Sequence, residues 1–323
     1  MALIRKANEL EINPIIKMLI YGQSGAGKTT LALSASKKTL LIDFDGGINR
    51  VDYSLIGDTG TVQIISYQDF LDVLDSQEIN EFDTLVIDTG GKMLDFMADY
   101  IMTNDYKTKN KSGSLTLQGY GVRKNMFTQL VKRVSTMRKN IIFIAQREER
   151  KEGDDTRFTP QFGGSNYDAL VTELDLVGYI EMDGRKRTIT FDPTSRSDGK
   201  NTCNLPSLMV IPEIINQEGN KIGENDFLIK NVITPFVDRI KQRRELGIQF
   251  ENLMKSIENE IDLITDDQSA NDFLKRINEF NHTMNSLDLS KRKLHSKSTS
   301  LGLSFDAQKK LYVKPSKKET ANV

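Results

Sequence analysis

Short apolar runs recur along the first part of the chain, and stretches at helical spacing separate them. The runs lie at residues 18–21, 39–42, 62–65, 85–87 and 141–145. Helical spacing is evident at residues 31–35 and 67–76. Apolar strands that alternate with helices are typical of a mainly parallel sheet with helices on both faces. The pattern therefore predicts an α/β fold.

The next part of the chain changes character twice. Residues 147–164 are charged and rich in Gly, Asp and Thr, which predicts an exposed, mobile loop. A helix is expected over 167–174. Two apolar runs at 176–180 and 188–191 flank Asp183-Gly184, a dipeptide typical of a tight turn. The pattern predicts a β-hairpin there.

Beyond Pro235 the apolar residues are spaced as in helices and are surrounded by charge. They are Phe250, Met254, Ile257, Ile261, Phe273, Ile277 and Phe280. Residues 291–318 carry nine Lys or Arg and one acidic residue, Asp306. We therefore expect an α/β domain over 1–235, a helical C-terminal region over 236–290 and a basic tail over 291–323. The tail fits a disordered, solubilising end as well as a DNA contact.

Composition narrows the functional classes. The chain has 323 residues, with 44 basic and 45 acidic side chains, so any nucleic-acid binding must come from local patches. Cys203 is the single cysteine, which excludes an internal disulfide framework and fits a reducing compartment. His282 and His295 are too few for a histidine metal cluster. With strand-sized apolar runs and no signal-like N-terminus, we expect no membrane association and a cytoplasmic location.

The loop after the first run carries the strongest chemical signal. Residues 22–29 match G-x-x-x-x-G-K-[ST] and lie between a predicted strand and a predicted helix, the context that this motif requires. Backbone N–H groups of such a loop surround phosphate oxygens, Lys28 reaches the outer phosphates, and Thr29 can ligate Mg²⁺. We predict ATP and Mg²⁺ as cofactors. The predicted nucleotide-binding residues of this segment are Gly22, Gln23, Ser24, Gly25, Ala26, Gly27, Lys28, Thr29 and Thr30.

Three aspartates follow other strands. Asp88 closes the fourth run, where a carboxylate can reach a Mg²⁺ ion opposite Thr29, so both are predicted metal ligands. Asp43 and Asp45 end the second run, and either is a candidate to orient or deprotonate the attacking water. An aspartate at a strand end is also a common turn former. The choice between Asp43 and Asp45 stays open.

These features, in this order and with Gln146 after the fifth run, resemble the RecA superfamily of recombinase ATPases. Gly163-Gly164-Ser165, before a helix and a strand, is similar to the segment after that family's second DNA-binding loop. The resemblance spans about residues 15–195. It is strongest to the short RecA-like ATPases of bacteriophages, some of which act as single-strand annealing proteins. It implies a RecA-like P-loop NTPase fold.

The resemblance also implies roles for single residues. Asp45 would be the catalytic carboxylate and Asp88 the metal-linked aspartate. Gln146 would sense the outermost phosphate and couple it to the loop beginning at Arg147. The family's usual carboxylate is Glu, so the shorter Asp45 implies slow hydrolysis or another base. Arg185 and Arg187 resemble a basic pair that reaches a neighbouring subunit's ATP, although a basic hairpin is commonly just solvated.

Two segments are candidates for contact with single-stranded DNA. Residues 107–124 combine lysines, glycines and Tyr120, and residues 147–162 form the second candidate. Asp154 and Asp155 dilute the charge of the second. We expect a homo-oligomeric ATPase that binds single-stranded DNA in annealing, recombination or replication, with a replication or recombination protein as partner, in host cytoplasm if phage-encoded. The alternatives are a phosphotransferase acting on a small molecule and a nucleotide-dependent scaffold.

Overall fold

The computed structural model describes residues 14–152, 155–163 and 165–314. The strands are β1 Lys17–Gly22, β2 Thr39–Asp43, β3 Gly60–Gln63, β4 Thr84–Asp88, β5 Asn140–Glu152, β6 Asp155–Pro160, β7 Leu176–Asp183, β8 Lys186–Thr190, β9 Lys200–Asn201, β10 Leu208–Ile211, β11 Ser304–Asp306 and β12 Leu311–Val313. The helices are α1 Lys28–Ala32, α2 Tyr53–Ile56, α3 Tyr67–Asp75, α4 Gly90–Asn104, α5 Leu117–Thr136, α6 Ser165–Glu173, α7 Thr234–Asp262, α8 Asp267–Arg276 and α9 Ser286–Ser300.

The main sheet has the order β10-β8-β7-β1-β5-β4-β2-β3. Its central strands are parallel from β7 to β3, and the strands β8 and β10 at one edge are antiparallel. The predicted hairpin is confirmed as β7–β8, with Gly184 in its turn at a φ of 57°. The predicted α/β class with a mainly parallel sheet and a C-terminal helical region is confirmed.

Both faces of the central strands are buried. Along β1, Leu19 and Tyr21 belong to one apolar cluster, whereas Met18 and Ile20 belong to another. Successive strand residues point to opposite faces, so each strand contributes to two cores. Helices α3 to α6 cover the first face, and α1 with residues 227–237 covers the second. This double burial explains why the sequence shows continuous apolar runs rather than alternation.

The loop predicted over 147–164 is largely regular structure. Strand β5 continues past the sheet to Glu152 and pairs with β6 as an antiparallel ribbon, for example Arg147 opposite Pro160. The charged residues therefore lie on a two-stranded ribbon, which their polar composition alone does not predict. Asp154 lies outside the described residues.

The described part of the chain divides into two compact units, one that ends at residue 237 and one that begins at residue 238. In the second unit, Ile257 of α7, Phe273 of α8 and Leu294 of α9 share one apolar core. No described helix has the combination of length and apolar character needed to cross a bilayer.

The prediction of a separate basic tail from residue 291 is wrong for the residues up to 314. Leu294 and Tyr312 are buried in the core of the second unit. The side chain of Asn271 on α8 holds Tyr312 by two backbone hydrogen bonds of 2.8 Å. Several of the lysines are ion-paired, such as Lys293 with Glu258 at 2.8 Å. Lys317 and Lys318 lie outside the described residues.

Candidate functional site

The predicted site residues meet because the carboxyl ends of parallel strands share one edge of the sheet. Gly22 at the end of β1 is in register with Gln146 on β5, and Asp43 at the end of β2 is in register with Asp88 on β4. Residues that are more than one hundred positions apart therefore line one edge.

The loop between β1 and α1 needs glycine for two separate reasons. A Cβ atom on Gly22 would lie 2.4 Å from the backbone oxygen of Ile180, so no side chain fits between β1 and β7. Gly25 and Gly27 have φ values of 78° and 85°, a backbone region that glycine enters without strain. The loop exposes residues 23–25 and buries Ala26. Helix α1, which follows the loop, has only five residues before a 3₁₀ turn at Leu33–Ala35.

Lys28 is buried at the centre of this loop and is held by three oxygens. Its Nζ donates to the carbonyls of Gly22 at 3.1 Å and Gln23 at 2.8 Å and to Oε1 of Gln146 at 3.0 Å. Burial lowers the pKa of Lys28 to about 8, against the opposing charges of Asp88 and Asp45. The ammonium group is thus partly desolvated and would gain from an anionic ligand.

Thr29 and Asp88 face each other, as predicted for two metal ligands. Oγ1 of Thr29 donates to Oδ2 of Asp88 at 2.6 Å. Burial raises the pKa of Asp88 to about 6, and the charges of Asp45 and Asp43 add to this effect while the Thr29 hydrogen bond opposes it. A cation beside Asp88 would relieve this penalty.

The side chains of Asp45, Thr29 and Asp88 surround Gly47. A Cβ atom on Gly47 would lie 3.0 Å from Oδ2 of Asp88, 3.1 Å from Oδ1 of Asp45 and 3.6 Å from Oγ1 of Thr29. Three oxygens thus converge on a space that any larger side chain would fill. Asp45 is half-buried and also lies 3.3 Å from the guanidinium of Arg50.

Asp43 is engaged elsewhere, which corrects its candidacy as the base. Its carboxylate is buried and accepts hydrogen bonds from the backbone N–H groups of Asp45 at 3.1 Å, Gly47 at 3.0 Å and Ile48 at 3.1 Å. These bonds shape the turn that presents Asp45 and Gly47. Asp43 therefore has a structural role, and Asp45 is the member of the pair that lines the pocket.

We call the resulting cavity the phosphate pocket. It has a volume of about 400 Å³. Its lining includes Ser24, Gly25, Gly27, Lys28, Thr29, Thr30, Asp45, Gly47, Arg50, Asp88 and Gln146. Among the described residues, no cluster of three or more His, Cys, Asp or Glu is placed to hold a metal ion by itself. Thr29 and Asp88 still fit Mg²⁺, because this ion commonly takes only one or two protein ligands and completes its shell with water and phosphate oxygens.

A second cavity of about 450 Å³, here called the α5 pocket, adjoins the first and shares Asp45, Thr89 and Gln146 with it. Lys92, Asp95, Arg123, Glu148, Gln161 and Gly163 also line it. Nε of Arg123 is buried and has no hydrogen-bond partner among the described residues. Gly163 has a φ of 66°, and Gly164 lies outside the described residues.

A third cavity of about 360 Å³, here called the β8 pocket, lies on the other side of the loop. It is lined by Gly27, Thr30 and Leu31, by Arg50 and Leu55, by Arg185 and Arg187, and by residues 211–216 and Phe227. Sequence reasoning missed this cavity. Its wall depends on β10, a four-residue strand that pairs with β8. In the sequence, the apolar run at 208–211 is the feature that could have indicated this strand.

The two arginines of the β7–β8 hairpin have different surroundings. Arg185 forms an ion pair with Glu213. Arg187 lies against its own chain, with Nε 3.4 Å from the position of a Cβ atom on Gly27. Arg187 therefore lies close to the phosphate-binding loop of its own chain, and the expectation that the pair reaches a neighbouring subunit's ATP stays a prediction.

The two predicted DNA-contacting segments also differ. In the β5–β6 ribbon, Arg150 pairs with Glu148 at 2.5 Å, Arg157 pairs with Asp198 at 2.8 Å, and Arg147 stacks 4.2 Å from the ring centre of Phe158. The connection from α4 to α5 instead presents exposed lysines at 107, 109 and 111 that form no ion pair within the described part of the chain. Exposed Tyr106 and Tyr120 accompany them, and Arg123 lies 5.0 Å from the ring centre of Tyr120.

Comparison with known proteins places this geometry in a family. A family model described as an AAA domain matches residues 15–203. No curated protein matches the chain. Together with the strand, loop and helix around Lys28, the family match supports a P-loop fold of the nucleotide-binding type.

Three solved structures are similar over part of their length. The flagellar accessory protein FlaH from Methanocaldococcus jannaschii is 12% identical, over 60% of this chain and 84% of that chain, with a TM-score of 0.34. A KaiC-like protein from the hyperthermophilic archaeon Pyrococcus horikoshii is 13% identical, over 61% and 89%, with a TM-score of 0.35. An ATPase from the type III secretion system of pathogenic bacteria is 13% identical, over 51% of each chain, with a TM-score of 0.34.

Proposed function

We propose that this chain, which belongs to the AAA-domain family, binds and hydrolyses ATP with Mg²⁺ and couples hydrolysis to the binding of single-stranded DNA. The nucleotide-binding fold and the phosphate pocket support the first part. The contact between the phosphate pocket and the α5 pocket is the observation that carries the second part, because it joins Asp45 to Arg123 of α5, the helix that follows the lysine-bearing connection.

The phosphate pocket would hold the triphosphate through the loop and Lys28. Lys28 would exchange its hydrogen bond to Gln146 for phosphate oxygens, and these anionic partners would favour the charged form that burial disfavours. Thr29 and Asp88 would hold Mg²⁺, which neutralises charge on the phosphates when bound. Thr29 then gives up its hydrogen bond to Asp88.

Asp45 is the residue proposed to orient the attacking water and accept its proton. Gly47 lies between the carboxylates of Asp45 and Asp88, and Asp45 lines both the phosphate pocket and the α5 pocket. The carboxylate of Asp45 forms an ion pair of 3.3 Å with Arg50, which is exposed.

Gln146 is proposed to report the state of the nucleotide. It accepts a hydrogen bond from Lys28 and must lose it when Lys28 turns to phosphate. Gln146 belongs to β5, whose ribbon begins at the next residue, and it lines the α5 pocket together with Arg123. A change at the phosphates would thereby reach the first turns of α5.

The surface proposed to bind DNA is the connection from α4 to α5. Unpaired lysines would contact phosphates, and exposed aromatic rings would stack on bases, a combination that suits single strands without sequence preference. The ribbon is the weaker candidate, because acidic neighbours neutralise its arginines.

We further propose that the protein forms a homo-oligomer and serves annealing, recombination or replication. Its partner would be a replication or recombination protein. If a bacteriophage encodes the protein, it would act in the host cytoplasm. The resemblance of residues 15–195 to the RecA-like ATPases of bacteriophages supports this setting. Among the described residues, no contact favours the rival, a scaffold whose nucleotide turnover is incidental.

One observation favours a second candidate, a phosphotransferase. The α5 pocket opens beside Asp45, and Lys92 and Arg123 could orient an anionic acceptor there. In this candidate Asp45 would deprotonate the acceptor's hydroxyl group instead of water.

ATP turnover measured with and without a homopolymeric single strand separates these candidates. We expect stimulation by DNA that is lost when the lysines at 107, 109 and 111 are all changed to Gln. The matched control changes Lys37, Lys38 and Lys132, three exposed lysines elsewhere in the same unit, to Gln. Turnover that DNA leaves unchanged would contradict the coupling. ATP consumption that requires a small acceptor would favour the phosphotransferase.

A further inference from the structure

We propose that Arg187 binds the inner phosphates of the nucleotide held by its own chain, and so acts in cis. This inference rests on the proposed nucleotide binding and adds a residue to it. The alternative is that Arg187 reaches the outermost phosphate of a neighbouring subunit's nucleotide, as the sequence alone suggested.

Backbone pairing on both sides fixes the position of Arg187. On β8 it lies opposite Met182 of β7 and opposite Ile211 of β10. Strand β7 in turn pairs with β1, and Gly22 of β1 is pressed against Ile180. The hairpin that carries Arg187 is therefore joined to the strand that begins the phosphate-binding loop.

The side chain of Arg187 lies close to that loop, on the side of Gly27 where a Cβ atom would point. Its Nε, Cδ and Cζ are 3.4, 3.7 and 3.9 Å from the position of a Cβ atom on Gly27. Gly27 is the residue that immediately precedes Lys28, and both line the phosphate pocket. A phosphate seated on the N–H groups of this loop would lie within reach of the same guanidinium.

Arg187 also lacks the partners that a half-buried cation requires. Its Nε is buried and has no hydrogen-bond partner among the described residues, and no described carboxylate forms an ion pair with it. Arg185, two positions earlier, is paired with Glu213. An unsatisfied buried donor on a cation is costly, and a bidentate anion such as phosphate would satisfy it.

The arrangement of strands indicates which phosphate Arg187 would meet. Lys28 is turned toward Gln146 on β5 and Thr29 toward Asp88 on β4, so the outer phosphates and the metal belong on that side of β1. Arg187 lies on the opposite side, because the sheet order is β8-β7-β1-β5-β4. It lines the β8 pocket with Thr30 and Leu55. A nucleotide that extends from the metal toward this pocket would present its inner phosphates to Arg187.

The cis and trans roles predict different affinities. A cation on the inner phosphates contributes equally to ATP and ADP, since both contain them. A cation on the outermost phosphate contributes to ATP hydrolysis and leaves ADP affinity unchanged.

The test is an equilibrium titration of ATP and ADP, each with Mg²⁺, against wild type and Arg187→Gln. The protein should be dilute enough to be monomeric by light scattering. We expect Arg187→Gln to weaken ATP and ADP to a similar extent, by about 10-fold to 100-fold, as for loss of a charged hydrogen bond. Lys186→Gln is the matched control, because it removes one positive charge from the adjacent, exposed position, and its affinities should stay within about twofold of wild type.

Two further variants complete the design. Arg187→Lys keeps a cation on a similar stem and should retain more affinity than Arg187→Gln, whereas equal losses accompanied by a lower Tm would contradict a role in binding. Mixing Arg187→Gln with Lys28→Ala should not restore ATPase activity if Arg187 acts in cis. Restored activity, or ADP affinity unchanged in Arg187→Gln, would overturn the inference. Failure of wild type to bind either nucleotide would instead overturn the proposed function and this inference with it.

Discussion

Lys28 donates a hydrogen bond of 3.0 Å to Oε1 of Gln146, and this bond joins the phosphate-binding loop to the strand that becomes the β5–β6 ribbon. In the proposed function, phosphate would compete with Gln146 for this ammonium group. A bound nucleotide would then change the surroundings of Gln146 without moving the sheet.

Gln146→Ala should retain most ATP affinity and lose most of the increase in turnover that single-stranded DNA causes. Removal of the amide leaves Lys28 with its carbonyl partners and phosphates but deletes the group that senses the exchange. The measurement is the ratio of DNA-stimulated to basal ATPase rates. Gln63→Ala, an exposed glutamine at the end of β3, serves as control. Equal stimulation in wild type and Gln146→Ala would contradict the coupling role.

Asp88→Asn should stabilise the nucleotide-free protein near pH 7.5 and weaken its binding of Mg²⁺. The folded-state pKa of Asp88 is about 6, above its ordinary value of 3.8, so the folded state favours the protonated form. Its contribution to stability is complete below about pH 4 and is lost as pH rises through about 6. At pH 7.5 we expect the variant to gain up to about 3 kcal/mol in free energy of unfolding.

The denaturant midpoints of both proteins, measured in EDTA from pH 4 to pH 7.5, check this expectation. The gain should vanish toward pH 4. Asp58→Asn, at an exposed aspartate, should show no such trend. A variant that is less stable than wild type at pH 7.5 would show that Asp88 stabilises the empty fold.

Asp45→Asn and Asp43→Asn should have opposite phenotypes. Asp45→Asn removes the proposed proton acceptor, so nucleotide binding should persist while turnover falls by about 100-fold or more. Asp43→Asn replaces an acceptor of three backbone hydrogen bonds and should lower the free energy of unfolding by about 1–3 kcal/mol. The ATP turnover rate and the thermal unfolding temperature, measured for both variants, distinguish the two roles. Full activity in Asp45→Asn would refute its assignment as base.

Leu294→Ala should destabilise the second unit by about 2–5 kcal/mol, because the side chain is fully buried among Ile257, Phe273 and Tyr312. Lys291→Ala on the exposed side of the same helix should change stability by less than about 0.5 kcal/mol. Denaturant unfolding of the full chain measures both. Equal, negligible effects would indicate that residues from 291 onward do not belong to this core.

The sequence predicted the α/β fold, and it predicted which residues meet at one edge of the sheet, because both depend on local signals. Lys28, Thr29 and Asp88 each end or follow an apolar strand, and parallel strands place such ends at one edge. The sequence could not show which of Asp43 and Asp45 faces the pocket, because this depends on hydrogen bonds from backbone N–H groups of the turn that follows.

Two further features could not be predicted from the sequence, also for physical reasons. The buried face of α9 consists of Ser286, Ser290, Leu294 and Ser298, so a spacing of four is present without the apolar residues that would reveal it. The direction of Arg187 depends on pairing among β7, β8 and β10, which no local pattern specifies.

The contact between Gly22 and Ile180 has a consequence for biosynthesis. These residues are separated by 158 positions, and β1 gains its neighbour β7 only after that segment has been made. A chain still emerging from the ribosome, or a fragment ending before residue 176, would contain the whole phosphate-binding motif but one side of β1 would remain unpaired. We therefore expect nucleotide binding to be acquired late in synthesis, when the chain closes a long-range contact that local folding cannot supply.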